Sequence, residues 1–312
     1  MHIADVSYFL QEGSLLDKEA KKRATSIYLV QKVIPMLPAI LCEQLCSLNP
    51  NVDRLAYSCI WKMKADGKLV DEKPYFGRTV IRSCAKLDYA TAQRMIDGLI
   101  PSCPSEGLNH DAFLASLPED VWETSRRPIG HTAWECARDV NLMHSVASNR
   151  RTFRHGNGAL VMNVPKLSFQ LNDCGNPSSV STYPIRQSND LVEEYMLLAN
   201  YFVAQEMLSR NGKAAFLRNH KSPQSADLQR LELLGEELGV SIDVTSSTSL
   251  HHCLLQLRRE HGAAFNSAIS SLLLSTMMLA NYIVAGLNEP RDWAHYALSI
   301  PYYTHFTSPI RR

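Results

Sequence analysis

Residues 54–83 read R-L-A-Y-S-C-I-W-K-M-K-A-D-G-K-L-V-D-E-K-P-Y-F-G-R-T-V-I-R-S, and this stretch decides the fold class. In its first part, 54–64, every second residue shares one face: Leu55, Tyr57, Cys59, Trp61 and Met63. Such a period of two is typical of a β-strand. The dipeptide Asp66-Gly67 follows and favours a type I′ turn, after which 69–83 returns as a second strand. The stretch predicts an antiparallel β-hairpin.

Upstream of the hairpin, the pattern predicts a strand over 2–10 and then a helix. Ser14 is the predicted N-cap of that helix, with Asp17 as its capping-box partner. The apolar positions of the helix continue through Leu29 towards Pro35, and a short helix is predicted over 38–46. Downstream, we expect a helix over 89–100. The segment 101–127 is rich in Pro and weakly periodic, so we expect a loop or insertion there.

The remainder of the chain is predicted to be mostly helical. A helix is expected over 133–153, and two strands over 158–171 and 179–187 are joined through 174–177. Ser188 or Asn189 then opens a helix with a broad apolar stripe. Further helices are predicted over 226–238, 249–259 and 263–284. Strands and helices mixed early, with helices late, indicate an α+β fold with a mixed or antiparallel sheet and a helical C-terminal half.

Composition limits the class of protein. The chain has 312 residues and a formal net charge of +1, so any nucleic-acid partner must meet local positive charge. No C-x-x-C pair occurs among the eight cysteines, which favours reduced thiols in an intracellular protein over a zinc site. No signal peptide is evident, and the uncharged segment 262–288 carries too many polar residues for lipid. We therefore expect a buried helix there, with no membrane association.

The C-terminal sequence T-S-P-I-R-R, 307–312, has an unusual arrangement of charge. Ser308 and Pro309 are typical of a helix start, so Arg311 and Arg312 fall in a first turn, where the helix dipole disfavours cations. Either these arginines point into water, or an anion lies between them and the helix start. Surface arginines are the commoner case, and the residues alone leave both interpretations open.

Other candidate residues also have ordinary explanations. Glu193 and Glu194 suit the first turn of a helix without any function, and Tyr89 suits packing at a helix start. His2 and His305 suit hydrogen-bonded core or rim positions. Two-metal phosphoryl chemistry needs several carboxylates around two cations, yet no D-x-D-D cluster occurs, and neither does a P-loop, Rossmann or G-x-S-x-G motif.

Taken together, four blocks of sequence resemble a known family. They are H-I-A-D-V-S-Y-F at 2–9, the run from Arg23 to Leu48, N-D-L-V-E-E-Y-M-L-L-A-N at 189–200, and T-S-P-I-R-R at 307–312. In this order and spacing they closely resemble the catalytic RNB domain of the ribonuclease II family, over essentially the whole chain. V-I-P-M-L-P and F-G-R-T-V-I-R-S-C are most similar to the eukaryotic cytoplasmic branch, whose members act without the exosome and favour uridylated RNA.

The resemblance implies a monomeric, processive 3′→5′ exoribonuclease that hydrolyses single-stranded RNA to nucleoside 5′-monophosphates with Mg²⁺. In the family the metal-binding aspartates lie in an acidic block just before the H-I-A-D strand. We therefore expect this chain to be a partial RNB domain, truncated at both ends, without a metal site and inactive by itself. Asp5 is expected to have a supporting role at most. The alternative is a catalytically dead RNB-fold protein that binds RNA or acts as a scaffold.

The resemblance also assigns roles to individual residues. Arg311 matches the residue that contacts the phosphate near the scissile bond, and Glu193 and Tyr89 match residues that hold the sugar near the 3′ end. A carboxylate that accepts the 2′-hydroxyl proton distinguishes RNA from DNA. Met162 stands where bacterial members have a stacking Phe, which puts stacking there in doubt. Arg312 and His305 complete the expected RNA-binding set.

Overall fold

The computed structural model describes residues 1–70, 73–103, 109–161, 167–172, 175–308 and 310. Its helices are α1 Val6–Phe9, α2 Leu15–Arg23, a π-helix Ile40–Leu45, α3 Tyr89–Ile96, α4 His110–Ser116, α5 Ala133–Gly156, α6 Gln187–Asn211, α7 Ser225–Glu237 and α8 Ser247–Thr276. Its strands are β1 His2–Ala4, β2 Ile27–Tyr28, β3 Val33–Ile34, β4 Asp53–Ile60, β5 Tyr75–Arg82, β6 Leu167–Leu171, β7 Pro177–Thr182, β8 Phe216–Asn219 and β9 Asn281–Val284. These elements confirm the α+β class.

The chain folds as two compact units. The first unit comprises Met1–Ser148, Leu167–Met196 and Phe306–Arg312, and the second unit comprises Asn149–Lys166 and Leu197–His305. Every strand pair within the described residues is antiparallel, in one three-stranded and three two-stranded sheets.

The three-stranded sheet of the first unit has the order β1-β4-β5. Its β4–β5 register, which pairs Leu55 with Val80, confirms the predicted hairpin. At the turn, Gly67 has φ 81°, a backbone conformation that glycine adopts without strain. Asp66 does not have a positive φ, so the predicted type I′ turn is wrong. The strand predicted over 2–10 ends at Ala4, because Val6–Phe9 forms a helical turn instead.

Helix α2 begins as predicted and ends earlier than predicted. The Ser14 hydroxyl accepts a hydrogen bond from the Asp17 backbone N–H at 3.2 Å, which confirms the N-cap. The prediction that the helix continues towards Pro35 is wrong. At Ala24 the backbone has φ 59° and ψ −30°, so the helix stops and the β-branched residues beyond it pair as the β2–β3 hairpin.

The segment 101–127 contributes to the core of the first unit. It contains α4, whose N-cap Asn109 accepts a hydrogen bond from the Asp111 N–H at 2.8 Å. Trp122 is buried in a cluster with Met95 and Ile100 and with alanines on α5. This part of the chain, for which a loop or insertion is predicted, therefore carries a helix and a core anchor.

In the second unit, α7 and α8 enclose the main apolar core. The predicted break between two helices appears as a kink in α8 at Gly262, where φ is 85°. The prediction of helix through Val284 is wrong, because the sequence N-Y-I-V at 281–284 forms β9 and pairs with β8. We find no candidate membrane-spanning helix among the described residues.

Candidate nucleic-acid interface

Two helix starts meet in the first unit. The Ser188 hydroxyl on α6 donates to the Tyr89 carbonyl oxygen on α3 at 2.7 Å, and the Ser188 backbone N–H donates to Gln93 Oε1 at 3.1 Å. Tyr89 is exposed and Glu193 is half-buried. The two residues expected to hold the ribose therefore belong to adjoining helices whose first turns are hydrogen-bonded to each other.

The sequence predicted a helix start near Ser188 but not its hydrogen bonds to α3. Ser188 was predicted as a candidate N-cap, but α6 begins one residue earlier, at Gln187. The Ser188 hydroxyl is consequently inside the first turn of α6. It donates a hydrogen bond to α3 and does not cap α6. Asp88 caps α3 by accepting from the Thr91 N–H at 2.7 Å, which fixes the turn that presents Tyr89.

Asp5 is a buried member of an ion pair. Its Oδ2 lies 2.8 Å from Nε of Arg78 on β5, and its Oδ1 accepts a hydrogen bond from the Ser7 hydroxyl at 2.6 Å. Both carboxylate oxygens are thus engaged by protein groups. His2 is likewise a hydrogen-bonded rim residue, with its Nδ1 2.6 Å from the Ser58 hydroxyl.

The residues present do not fit a divalent-metal site. Within the described ranges, no group of three or more His, Cys, Asp or Glu side chains converges as metal ligands would. Asp5 is already neutralised by a guanidinium, and burial raises the pKa of the Cys42 and Cys46 thiols, which disfavours the thiolate that a zinc ion requires.

Replacing Arg78 with methionine should destabilise the first unit by about 1–3 kcal/mol, because the buried Asp5 carboxylate would lose the guanidinium that pairs with it, and Arg78 itself is 60% exposed. The measurement is urea unfolding of wild type and variant, and Arg78→Met with Asp5→Asn should recover much of the loss. Arg82→Met is the matched control on the same strand. Its ion pair with Asp53, at 2.7 Å, is exposed on both sides, so the cost should stay below about 1 kcal/mol. Equal losses for the two arginines would contradict a desolvated Asp5.

Ile310 anchors the C-terminal segment in an apolar cluster of the first unit. Ile310 packs against the cluster that contains Val6 and Leu37, and its carbonyl oxygen lies 3.5 Å from the Ser26 hydroxyl and 3.9 Å from Sγ of Cys42. The buried Ser26 hydroxyl also accepts from the Met36 N–H at 3.0 Å. The residue that precedes Arg311 is therefore fixed, whereas Arg311, Arg312 and Met162 lie outside the described residues.

An apolar cavity of about 760 Å³ lies in the first unit beside the α6 residues that precede and follow Glu193. Val192 and Tyr195 line it, together with Trp61 beyond β4, whose ring centroid is 6.4 Å from that of Tyr195. Burial raises the pKa of Tyr195, and its hydroxyl donates to the Met143 carbonyl at 3.2 Å. The apolar stripe of α6 and the alternation of β4 were visible in the sequence, but their meeting at one cavity was not.

His305 belongs to the second unit, in an aromatic and histidine network. Its Nδ1 is hydrogen-bonded to the Tyr282 hydroxyl, and its ring lies edge-on to that of Tyr303 at 5.5 Å. Burial, with the nearby charges of His220 and Arg218, lowers the pKa of His295 to about 4, so this imidazole is neutral at physiological pH. The network holds His305 by its ring, as expected of a rim residue.

The RNB domain family matches residues 1–312, so the chain belongs to the RNB domain family. Among its relatives, DIS3-like exonuclease 2 of Xenopus tropicalis is 43% identical over 316 residues, covering 100% of this chain and 36% of the relative. A protein of Arabidopsis thaliana named inactive exonuclease DIS3L2 is 35% identical over 317 residues, 100% of this chain and 28% of that protein. The resemblance stated from the motifs is thereby confirmed.

The solved structures agree on the fold. RNase R of Mycoplasma genitalium, in complex with ribose methylated single-stranded RNA, superposes with a TM-score of 0.78 at 23% identity. The match covers 100% of this chain and 43% of that one. The chain spans about a third of the length of the curated relatives it matches.

Proposed function

We propose that this chain is the larger part of the catalytic domain of a 3′→5′ exoribonuclease that degrades single-stranded RNA to nucleoside 5′-monophosphates. Membership of the RNB family and similarity to DIS3-like exonuclease 2 support this proposal. The observation that carries it is the hydrogen-bonded junction of α3 and α6. Tyr89 is the first residue of α3, whereas Glu193 and Glu194 lie in the second turn of α6 and not in its first turn as predicted. A ring and a carboxylate so placed can hold the ribose of the 3′-terminal nucleotide, with the carboxylate accepting the 2′-hydroxyl proton.

In this proposal, hydrolysis breaks the bond between phosphorus and the 3′-oxygen of the preceding nucleotide, so the released nucleotide keeps its 5′-phosphate. Arg311 stabilises the negative charge that develops on the phosphoryl oxygens. Ile310, the residue before Arg311, is held by contacts of its carbonyl oxygen with the Ser26 hydroxyl and the Cys42 thiol. Mg²⁺, held by an acidic segment that the resemblance places before His2, would supply the activated water.

The alternative, a catalytically dead RNA-binding or scaffold protein, has a specific observation behind it. One relative, at 35% identity, is named an inactive exonuclease. Cytoplasmic location, a preference for uridylated RNA and a monomeric state are proposed from similarity to DIS3-like exonuclease 2 and stand with the main proposal.

The discriminating experiment uses a polypeptide that joins this chain to the preceding acidic segment. With Mg²⁺, we expect oligo(U) labelled at its 5′ end to shorten stepwise, and oligo(U) labelled at its 3′ end to release labelled mononucleotide at once. EDTA should abolish both reactions, and the 312-residue chain by itself should show no turnover. Internal fragments, or an uncut substrate in the presence of Mg²⁺, would favour the alternative.

A further inference from the structure

The β8–β9 ribbon of the second unit has one buried and one exposed face. Leu217 and Ile283, which pair with each other, face the core. The opposite face carries Phe216 and Arg218 on β8, with Tyr282 directly across from Arg218. The rings of Phe216 and Tyr282 are 45% and 40% exposed, although aromatic side chains of this size are usually buried.

These exposed side chains form an ordered stack. The ring centroids of Phe216 and Tyr282 are 4.8 Å apart with planes inclined by only 4°. The guanidinium carbon of Arg218 lies 5.1 Å from the Tyr282 centroid, within the range of a cation–π contact. The hydrogen bond between the Tyr282 hydroxyl and His305 fixes the far side of the ring. The face is therefore a rigid aromatic surface with a cation on it.

Charge along the ribbon has one sign. Residues 213–221, K-A-A-F-L-R-N-H-K, contain Lys213, Arg218 and Lys221 and no acidic residue, and 277–288 contain no charged residue at all. Lys213 packs against Gly286, which follows the end of β9. A Cβ added to Gly286 would lie only 2.6 Å from the Lys213 Cβ. In a chain with a net charge of +1, this concentration is a local positive patch.

We propose that the exposed face of the ribbon, formed by Phe216, Arg218 and Tyr282, is a further contact site for single-stranded RNA within the second unit. One base stacks on the outer face of the Phe216 ring, at the end of the Phe216–Tyr282 stack, and Arg218 and Lys213 contact the adjoining phosphates. Aromatic platforms flanked by cations bind single strands with little sequence preference, because every base has a π face. The proposal rests on the proposed function only in taking RNA as the ligand.

The test is the affinity of the 312-residue chain for 5′-fluorescein oligo(U), measured by fluorescence anisotropy without metal. Phe216→Ala with Tyr282→Ala should weaken binding by about tenfold or more. Phe216→Leu keeps an apolar side chain and should lose part of the affinity. The matched control is Phe153→Ala, since Phe153 is 63% exposed in the same unit and has the Arg150 guanidinium 5.7 Å from its ring centroid. Its removal should leave binding unchanged.

The charge is tested separately by a salt titration. Arg218→Ala should reduce the slope of log affinity against log salt by about 0.7, the value for one phosphate contact on a single strand. Photocrosslinks from 4-thiouridine RNA should map to the β8 and β9 peptides. Unchanged affinity of the double variant, or no RNA binding by the wild-type chain, overturns the proposal and leaves the ribbon as a protein-facing surface. Because no cleavage is measured, this outcome is independent of the catalytic test above.

Discussion

Replacing Arg311 with alanine should lower kcat by about 100- to 1,000-fold in the polypeptide that includes the acidic segment, as for the loss of one preorganised charge-stabilising donor. The KM for a long RNA should change little, because the guanidinium acts on charge that develops only in the transition state. Single-turnover cleavage of 5′-labelled oligo(U) measures the chemical step directly.

Two variants give this prediction its controls. Arg311→Lys should recover only part of the activity, since an ammonium lacks the planar fork of donors that fits a phosphate. Arg291→Ala removes an exposed arginine of the second unit and should leave both constants unchanged. If Arg311→Ala retained activity within a few-fold of wild type, or raised KM alone, Arg311 would be a binding residue with no part in charge stabilisation.

Replacing Trp122 with alanine should destabilise the first unit by about 3–5 kcal/mol, because the indole is only 2% exposed and its removal leaves a cavity. It packs in the cluster with Met95, Ile100 and Ala137, which joins the segment 101–127 to α3 and α5. Urea unfolding followed by far-UV circular dichroism gives the free energy of unfolding.

The matched variants separate volume from polarity. Within the described part of the chain, Nε1 of Trp122 has no hydrogen-bond partner, so Trp122→Phe should cost clearly less than Trp122→Ala. Leu15→Ala removes an apolar side chain that is 85% exposed and should change stability by less than about 0.5 kcal/mol. A loss below about 1 kcal/mol for Trp122→Ala would mean that the segment is not a structural part of the core.

Local sequence patterns correctly predicted the elements that depend on interactions between residues close together in the chain. Alternation over 54–64 and the Asp66-Gly67 turn gave the β4–β5 hairpin, and Ser14 gave the start of α2. The predicted break between two helices is the kink in α8 at Gly262, a glycine that adopts positive φ without strain. The motif strings gave the family, and with it the expectation that Tyr89, Glu193 and Arg311 act together. For the turn, the helix start and the kink, the deciding residues lie within a few positions of one another.

The remaining features depend on partners that are distant in sequence. Residues 281–284 have an apolar pattern that suits a helix as well as a strand, and only hydrogen bonding to β8, more than sixty positions earlier, made them β9. Trp122 was placed in a predicted loop because no local period marks a core residue that packs on other elements. Likewise, the sequence by itself determined the family and predicted the candidate site residues, whereas the contact between Ser188 and Tyr89 that joins α3 to α6 required the folded chain. Propensity and turn chemistry are local properties of the backbone, but strand pairing and burial are settled by the free energy of the whole chain.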